Sequence, residues 1–114
     1  MFKVIIVGGE STGDYPRFKK KCIECLRNKV KEDSVMIYTT GDKYIEAFSE
    51  RYGIDTKFFP ADFKTYGKEA LIVRAITMLE DANAVIAFNS NGFKESQIIS
   101  KMAAEKGLPL RDIR

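Results

Sequence analysis

The sequence predicts an α/β fold: a three-layer sandwich whose mostly parallel sheet of about five strands carries helices on both faces. Three observations predict it. Short, nearly continuous apolar runs such as Phe2 to Val7 suit strands buried on both faces. Stretches of helical period alternate with these runs along the chain. The connections fall into two sets, one rich in Gly, Ser, Thr and Asn and the other made of short turns.

The elements follow in order. Phe2 to Val7 is the first strand, and Gly8 to Tyr15 the loop after it. Pro16 to Lys31 reads as a helix, with Pro suited to its first turn. Val35 to Tyr38 is the second strand. Thr39 and Asp42 then stand at capping-box spacing, opening a helix that ends near Tyr52 with Gly53 as its stop. The apolar stripe of that helix is Ile45, Phe48 and Tyr52. Lys57 to Phe59 is the third strand, terminated by Pro60, and a helix follows from about Gly67 to Asp81. Ala84 to Phe88 is the fourth strand. The last helix ends at Gly107 with Ile98, Ile99, Met102 and Ala103 inward, and Leu110 to Ile113 forms a short final strand.

The 114 residues are expected to form a single domain, 1–114, with 45% hydrophobic and 31% charged residues as in an ordinary globular protein. The net charge of +3 is spread along the chain, and Lys19-Lys20-Lys21 reads as a solvated helix face, which argues against nucleic-acid binding. Val4 to Val7 is too short to span a bilayer and no charged leader precedes it, so a cytoplasmic protein without membrane contact is expected. Cys22 and Cys25 form a lone Cys-x-x-Cys in a chain with no His, too few ligands for a structural zinc site. Both fall on the apolar stripe of a helix with Phe18, Leu26 and Val30, which makes them reduced core cysteines. No metal site and no cofactor motif is identified.

Ligands of open parallel sheets bind beyond the carboxyl ends of the strands. Loops 8–15, 39–42, 60–66 and 89–94 end there, and they hold the Gly, Ser, Thr and Asn residues. Loops 32–34, 53–56, 81–83 and 107–109, at the other end, are short connectors. In the first loop, Gly8 and Gly13 have Walker A spacing, but Asp14 and Tyr15 stand where that loop needs Lys and Ser or Thr, so P-loop chemistry is rejected. What remains is a turn whose N–H groups and hydroxyls (Gly8, Gly9, Ser11, Thr12) can hold an anion, or a tight strand-to-helix turn that simply needs glycine. In the second loop, Thr40 and Gly41 are candidates, while Asp42 is either an acid–base group or a helix cap. In the third, Asp62 can accept hydrogen bonds from a ribose or amine, Lys64 and Lys68 can neutralise phosphate, and Phe63 or Tyr66 can stack on a base. The structural alternative has Asp62 bracing the loop while Phe63 and Tyr66 fill the core. Gly92 and Lys94 in the fourth loop are further phosphate candidates. Glu10, Asp14, Asp42 and Asp62 are the carboxylates available for acid–base work, with Asp62 and Asp42 the catalytic candidates.

After Arg74 one stripe, Leu71, Ile72, Ala75, Met78, Leu79 and Ala82, is widened by Val73 and Ile76. A helix apolar over so much of its circumference is deeply buried or packs on a partner, and a homodimer interface is expected there.

The stretch Phe59-Pro60-Ala61-Asp62-Phe63-Lys64-Thr65-Tyr66-Gly67-Lys68-Glu69-Ala70, with Arg74 after it, resembles the signature segment of the YspA-like branch of the SLOG superfamily. These are small Rossmann-like proteins related to DprA and the lonely-guy phosphoribohydrolases. The resemblance covers Met1 to about Leu110 and implies a pocket for a nucleotide or nucleotide-derived ligand. Its other pocket motifs are altered. Glu10 stands where the family carries a basic residue, and Thr39-Thr40-Gly41-Asp42 is shorter than the family's glycine nest. Ala75-Ile76-Thr77 replaces Asn-Arg-Glu, and Gly92 is the one glycine of the fourth loop. Three readings follow. The first is a sensor or regulatory module binding a nucleotide derivative through loops 8–15 and 60–68 with Lys64, Lys68, Arg74 and Lys94. The second is a hydrolase of N-glycosidic or phosphoribosyl bonds, with two carboxylates converging on one pocket. The third is a pocket-degenerate protein acting through oligomerisation and protein partners, its loops collapsed on their own side chains.

Overall fold

Five parallel strands, β1 (Phe2–Val7), β2 (Val35–Thr39), β3 (Asp55–Phe58), β4 (Ala84–Phe88) and β5 (Leu110–Ile113), form one sheet in the order β3-β2-β1-β4-β5. The computed structural model describes residues 1–89 and 92–114. Ser90 and Asn91 of the fourth loop lie outside the described residues. The helices are α1 (Tyr15–Glu32), α2 (Lys43–Tyr52), the single-turn α3 (Phe63–Tyr66), α4 (Ala70–Asp81) and α5 (Lys94–Lys106).

Alternation along β1 explains the three layers. Val4 and Ile6 point to one face, where they meet Phe18, Cys22 and Leu26 of α1 and Ile45 and Phe48 of α2. Ile5 and Val7 point to the other, against Ala75, Met78 and Leu79 of α4 and Ile99 and Ala103 of α5. The four strand residues are buried on both sides because β1 pairs with β2 at Val4↔Ile37 and with β4 at Val4↔Ala84. Each such aliphatic side chain contributes roughly 1.5–3 kcal/mol of burial. The expected fold is the observed one.

Local chemistry sets the helix ends. Asp14 accepts from the Arg17 N–H at 3.1 Å with Pro16 in the first turn of α1. α2 stops at Gly53 and α5 at Gly107, both in the left-handed region, at φ 64° and 78°. Several boundaries differ from expectation. The cap of α2 is Asp42, whose Oδ1 accepts from Tyr44 and Ile45 N–H, whereas the Thr39 hydroxyl accepts from the N–H groups of Gly41 and Asp42 in a turn before the helix. β3 begins at Asp55 and ends at Phe58, since its polar residues suit an exposed edge strand. Between Pro60 and α4 the chain makes α3 and a 3-10 turn, Gly67–Glu69, where a plain loop and an earlier helix start were expected. Asp62 caps α3 by accepting from the Thr65 N–H.

Three packing expectations are also corrected. Val30 is exposed, and the buried stripe of α1 is Phe18, Cys22 and Leu26. Phe63 and Tyr66 do not fill the core; they are 59% and 48% exposed on the surface turn. Of the α4 stripe, Ala75, Met78, Leu79 and Ala82 are buried, but Ile72 and Ile76 face outward. No helix among the described residues is long and apolar enough to cross a membrane.

Candidate functional site

The sheet order reverses between β1 and β4, the place where an open parallel sheet leaves a crevice between diverging loops. A cleft of about 510 Å³ lies at this end, lined by Gly8, Glu10 and Ser11 after β1, Thr40, Gly41 and Asp42 after β2, Arg74 of α4, and Phe93 and Glu95 at the start of α5. Three of the four expected loops therefore meet in one place.

The floor is set by close backbone approach. Gly8 has φ +82°, and a Cβ there would lie 2.2 Å from Ser96 Oγ and 2.5 Å from the Phe88 carbonyl oxygen. The loop rests on α5 only because it has no side chain at that point. Ser96 is fully buried, and its Oγ has no hydrogen-bond partner among the described residues. The Ser11 hydroxyl donates to the Gly8 carbonyl at 2.6 Å and the Thr12 hydroxyl to that of Gly9 at 2.8 Å, so both fix the turn they belong to.

Glu10 and Asp42 clasp the first two loops. The Glu10 N–H donates to Asp42 Oδ2 at 2.9 Å, and Glu10 Oε1 accepts from the Lys43 N–H at 2.7 Å. The first amides of α2, the group that would meet an incoming anion, thus already serve two carboxylates of the chain itself. Burial pushes the Asp42 carboxyl above its ordinary range; the N–H groups of Glu10, Ile45 and Tyr44 pull it back, and the Glu10 charge raises it.

Arg74 closes the far wall. Its Nη2 donates to both oxygens of Glu95 at 2.9 Å and its Nη1 to the Phe59 carbonyl at 3.2 Å. Both side chains are about nine-tenths buried. The Arg74 Nε is buried with no partner among the described residues, and a buried donor left unmet costs about 1–3 kcal/mol.

The expected residues do not all meet. Gly8, Ser11, Thr40, Gly41, Asp42 and Arg74 share the main cleft. Asp62 and Tyr66 line a smaller depression of about 210 Å³ with Phe59 and Pro60, and Arg74 is the wall common to both. Asp62 is exposed there, and the Thr65 hydrogen bonds hold its carboxyl below the usual range. Gly9 lies beneath the loop, where a Cβ would meet the Phe18 ring at 2.7 Å. Lys64, Lys68, Gly92 and Lys94 are exposed and line neither depression. Sequence reasoning missed Glu95 and Phe93. An acid in the first turn after a strand-end loop was a signal, but its partner Arg74 is distant in the chain and only the fold joins them.

The cleft can offer carboxylate acceptors, the Thr40 hydroxyl and the Phe93 ring to a small hydroxylated molecule. Compared with known protein families, curated proteins and solved structures, the chain matches none.

Proposed function

We propose that this chain is a sensor or regulatory module of the SLOG type that binds a nucleoside- or nucleotide-derived molecule in the cleft at the C-terminal ends of β1, β2 and β4. One observation carries the reading: loops separated in sequence converge on a single cleft at the point where strand order reverses. A thermal-shift screen against nucleosides, nucleotides, ADP-ribose and NAD tests it. Binding to the native state raises the melting temperature by mass action, by about 2.7 kcal/mol of stability at a hundredfold excess over Kd. A shift that disappears in Thr40→Trp and survives in Lys68→Ala supports the cleft as the site. No shift with any compound removes the reading.

A specific observation favours a second reading, N-glycosidic hydrolysis. Glu10, Asp42 and Glu95 line one cleft, and Asp42 is the carboxyl whose burial favours its protonated form. Water would add to C1′ as the C1′–N bond breaks, with Asp42 protonating the leaving base and Glu10 accepting the proton of water. Chromatographic detection of free base from nucleosides, lost in Asp42→Asn, distinguishes an enzyme from a binding module.

Homodimerisation through the outer face of α4 belongs to the same proposal. Ile72 and Ile76 stand one turn apart and are 44% and 43% exposed. Light scattering of wild type and Ile72→Glu/Ile76→Glu tests it, with a dimer-to-monomer change expected.

A further inference from the structure

We infer that the cleft selects an uncharged, ribose-bearing ligand over its phosphorylated counterpart, because its carboxylates outnumber its one cation and the first amides of α2 are already occupied. The inference rests on the proposed binding cleft and specifies the ligand class that fits it.

The charge count is local. Glu10, Asp42 and Glu95 line the cleft, against Arg74 alone. The two terminal nitrogens of Arg74 are committed, one to both oxygens of Glu95 and the other to the Phe59 carbonyl, and its charge is paired with that of Glu95. A phosphate entering this space would therefore meet uncompensated negative charge in a partly desolvated setting, where repulsion is far stronger than in bulk water. The lysines that would favour an anion, Lys64, Lys68 and Lys94, do not line the cleft.

The backbone donors point the same way. An anion site at a helix start needs free N–H groups. In α2 the Lys43 N–H is held by Glu10 Oε1 and the Tyr44 and Ile45 N–H groups by Asp42 Oδ1. The Glu10 N–H itself is held by Asp42 Oδ2. At the start of α2 the chain has placed its own carboxylates where a phosphate would sit.

Three of the side chains lining the cleft are carboxylates, which accept hydrogen bonds. Glu10 is exposed, and no described residue donates to its Oε2. The vicinal hydroxyls of ribose are donors of the right kind, and charge-assisted hydrogen bonds to a carboxylate are strong ones. Phe93, 40% exposed at the rim, offers a face for the base.

Calorimetric titration of the whole chain with D-ribose, the four ribonucleosides and their 5′-monophosphates decides the matter. A nucleoside binding at least about tenfold more tightly than its monophosphate is the expected result. In Glu10→Gln, which keeps an acceptor for the Lys43 N–H and loses the charge, that gap should shrink by about half or more. Raising salt from about 0.05 to about 0.5 M should strengthen monophosphate binding by screening the repulsion and leave nucleoside binding unchanged. Binding by ribose as well as nucleosides supports the inference and assigns recognition to the sugar. A monophosphate that binds as tightly as its nucleoside, or more so, overturns this inference and leaves the cleft standing as the site. Failure of every compound overturns both.

Discussion

A single terminal nitrogen of Arg74 holds both carboxylate oxygens of Glu95 at 2.9 Å, joining the middle of α4 to the first turn of α5. The two side chains are 10% and 9% exposed, so the pair is a buried one and its members depend on each other. Removing one partner strands the other charge away from water. Arg74→Ala is expected to destabilise the fold by about 3–5 kcal/mol, and Arg74→Met/Glu95→Gln by clearly less. Urea denaturation of both variants checks this; equal losses would show that the pair is not coupled.

Gly8 and Gly13 separate backbone strain from steric collision. Both have positive φ, +82° and +64°, but only Gly8 has neighbours within reach of a Cβ. Gly13→Ala should cost about 1–2 kcal/mol for the left-handed conformation alone. Gly8→Ala adds the clash with Ser96 Oγ and the Phe88 carbonyl, and should cost about 3 kcal/mol or more. Adding Ser96→Ala should recover only part of that loss, because the carbonyl cannot give way. Chemical denaturation of the three variants gives the ordering.

Asp42 should leave a mark on stability as a function of pH. Its carboxyl is raised above the ordinary 3.8 by burial. Just above that value the folded chain keeps a proton that the unfolded chain has released, so stability falls as pH rises through the window. Asp42→Asn lacks this term. The stability of wild type relative to Asp42→Asn should therefore be greatest near about pH 4 and decline towards about pH 7. Denaturation curves across that range test the sign, and a constant difference would refute it.

The two thiols should differ in reactivity. Burial raises both, and Cys22 is fully enclosed while Cys25 is half-buried. A disulfide reagent at about pH 8 should modify Cys25 slowly in the native protein and reach Cys22 only after unfolding. Rapid modification of both thiols in native buffer would contradict the placement of Cys22.

The strands and most helix ends were legible because their causes are local. Apolar runs mark β1 and β4, and Gly53 and Gly107 stop α2 and α5. α3 was not legible, since a four-residue helix between Asp62 and Gly67 has no period to detect. The outward position of Ile72 and Ile76 was hidden for a different reason: periodicity on a broadly apolar helix cannot choose between adjacent faces. The candidate site was half legible. The loops that form the cleft were identified, but their electrostatics depend on which charges the fold brings inward. Lys64, Lys68 and Lys94 stay at the surface, whereas Glu95 is drawn in to meet Arg74.

The central place of β1 has a consequence for how the chain acquires its shape. β1 takes one neighbour early, from β2, but the other only when β4 arrives, linking Val4 to Ala84. Until then its second edge is a bare row of amides and carbonyls flanked by Ile5, Ile6 and Val7, the kind of template that recruits a stranger's strand. Any fragment ending before Ala84 keeps that edge open, and should self-associate where the whole chain does not. Long-range closure of this kind also slows folding, so the interval of risk is built into the strand order.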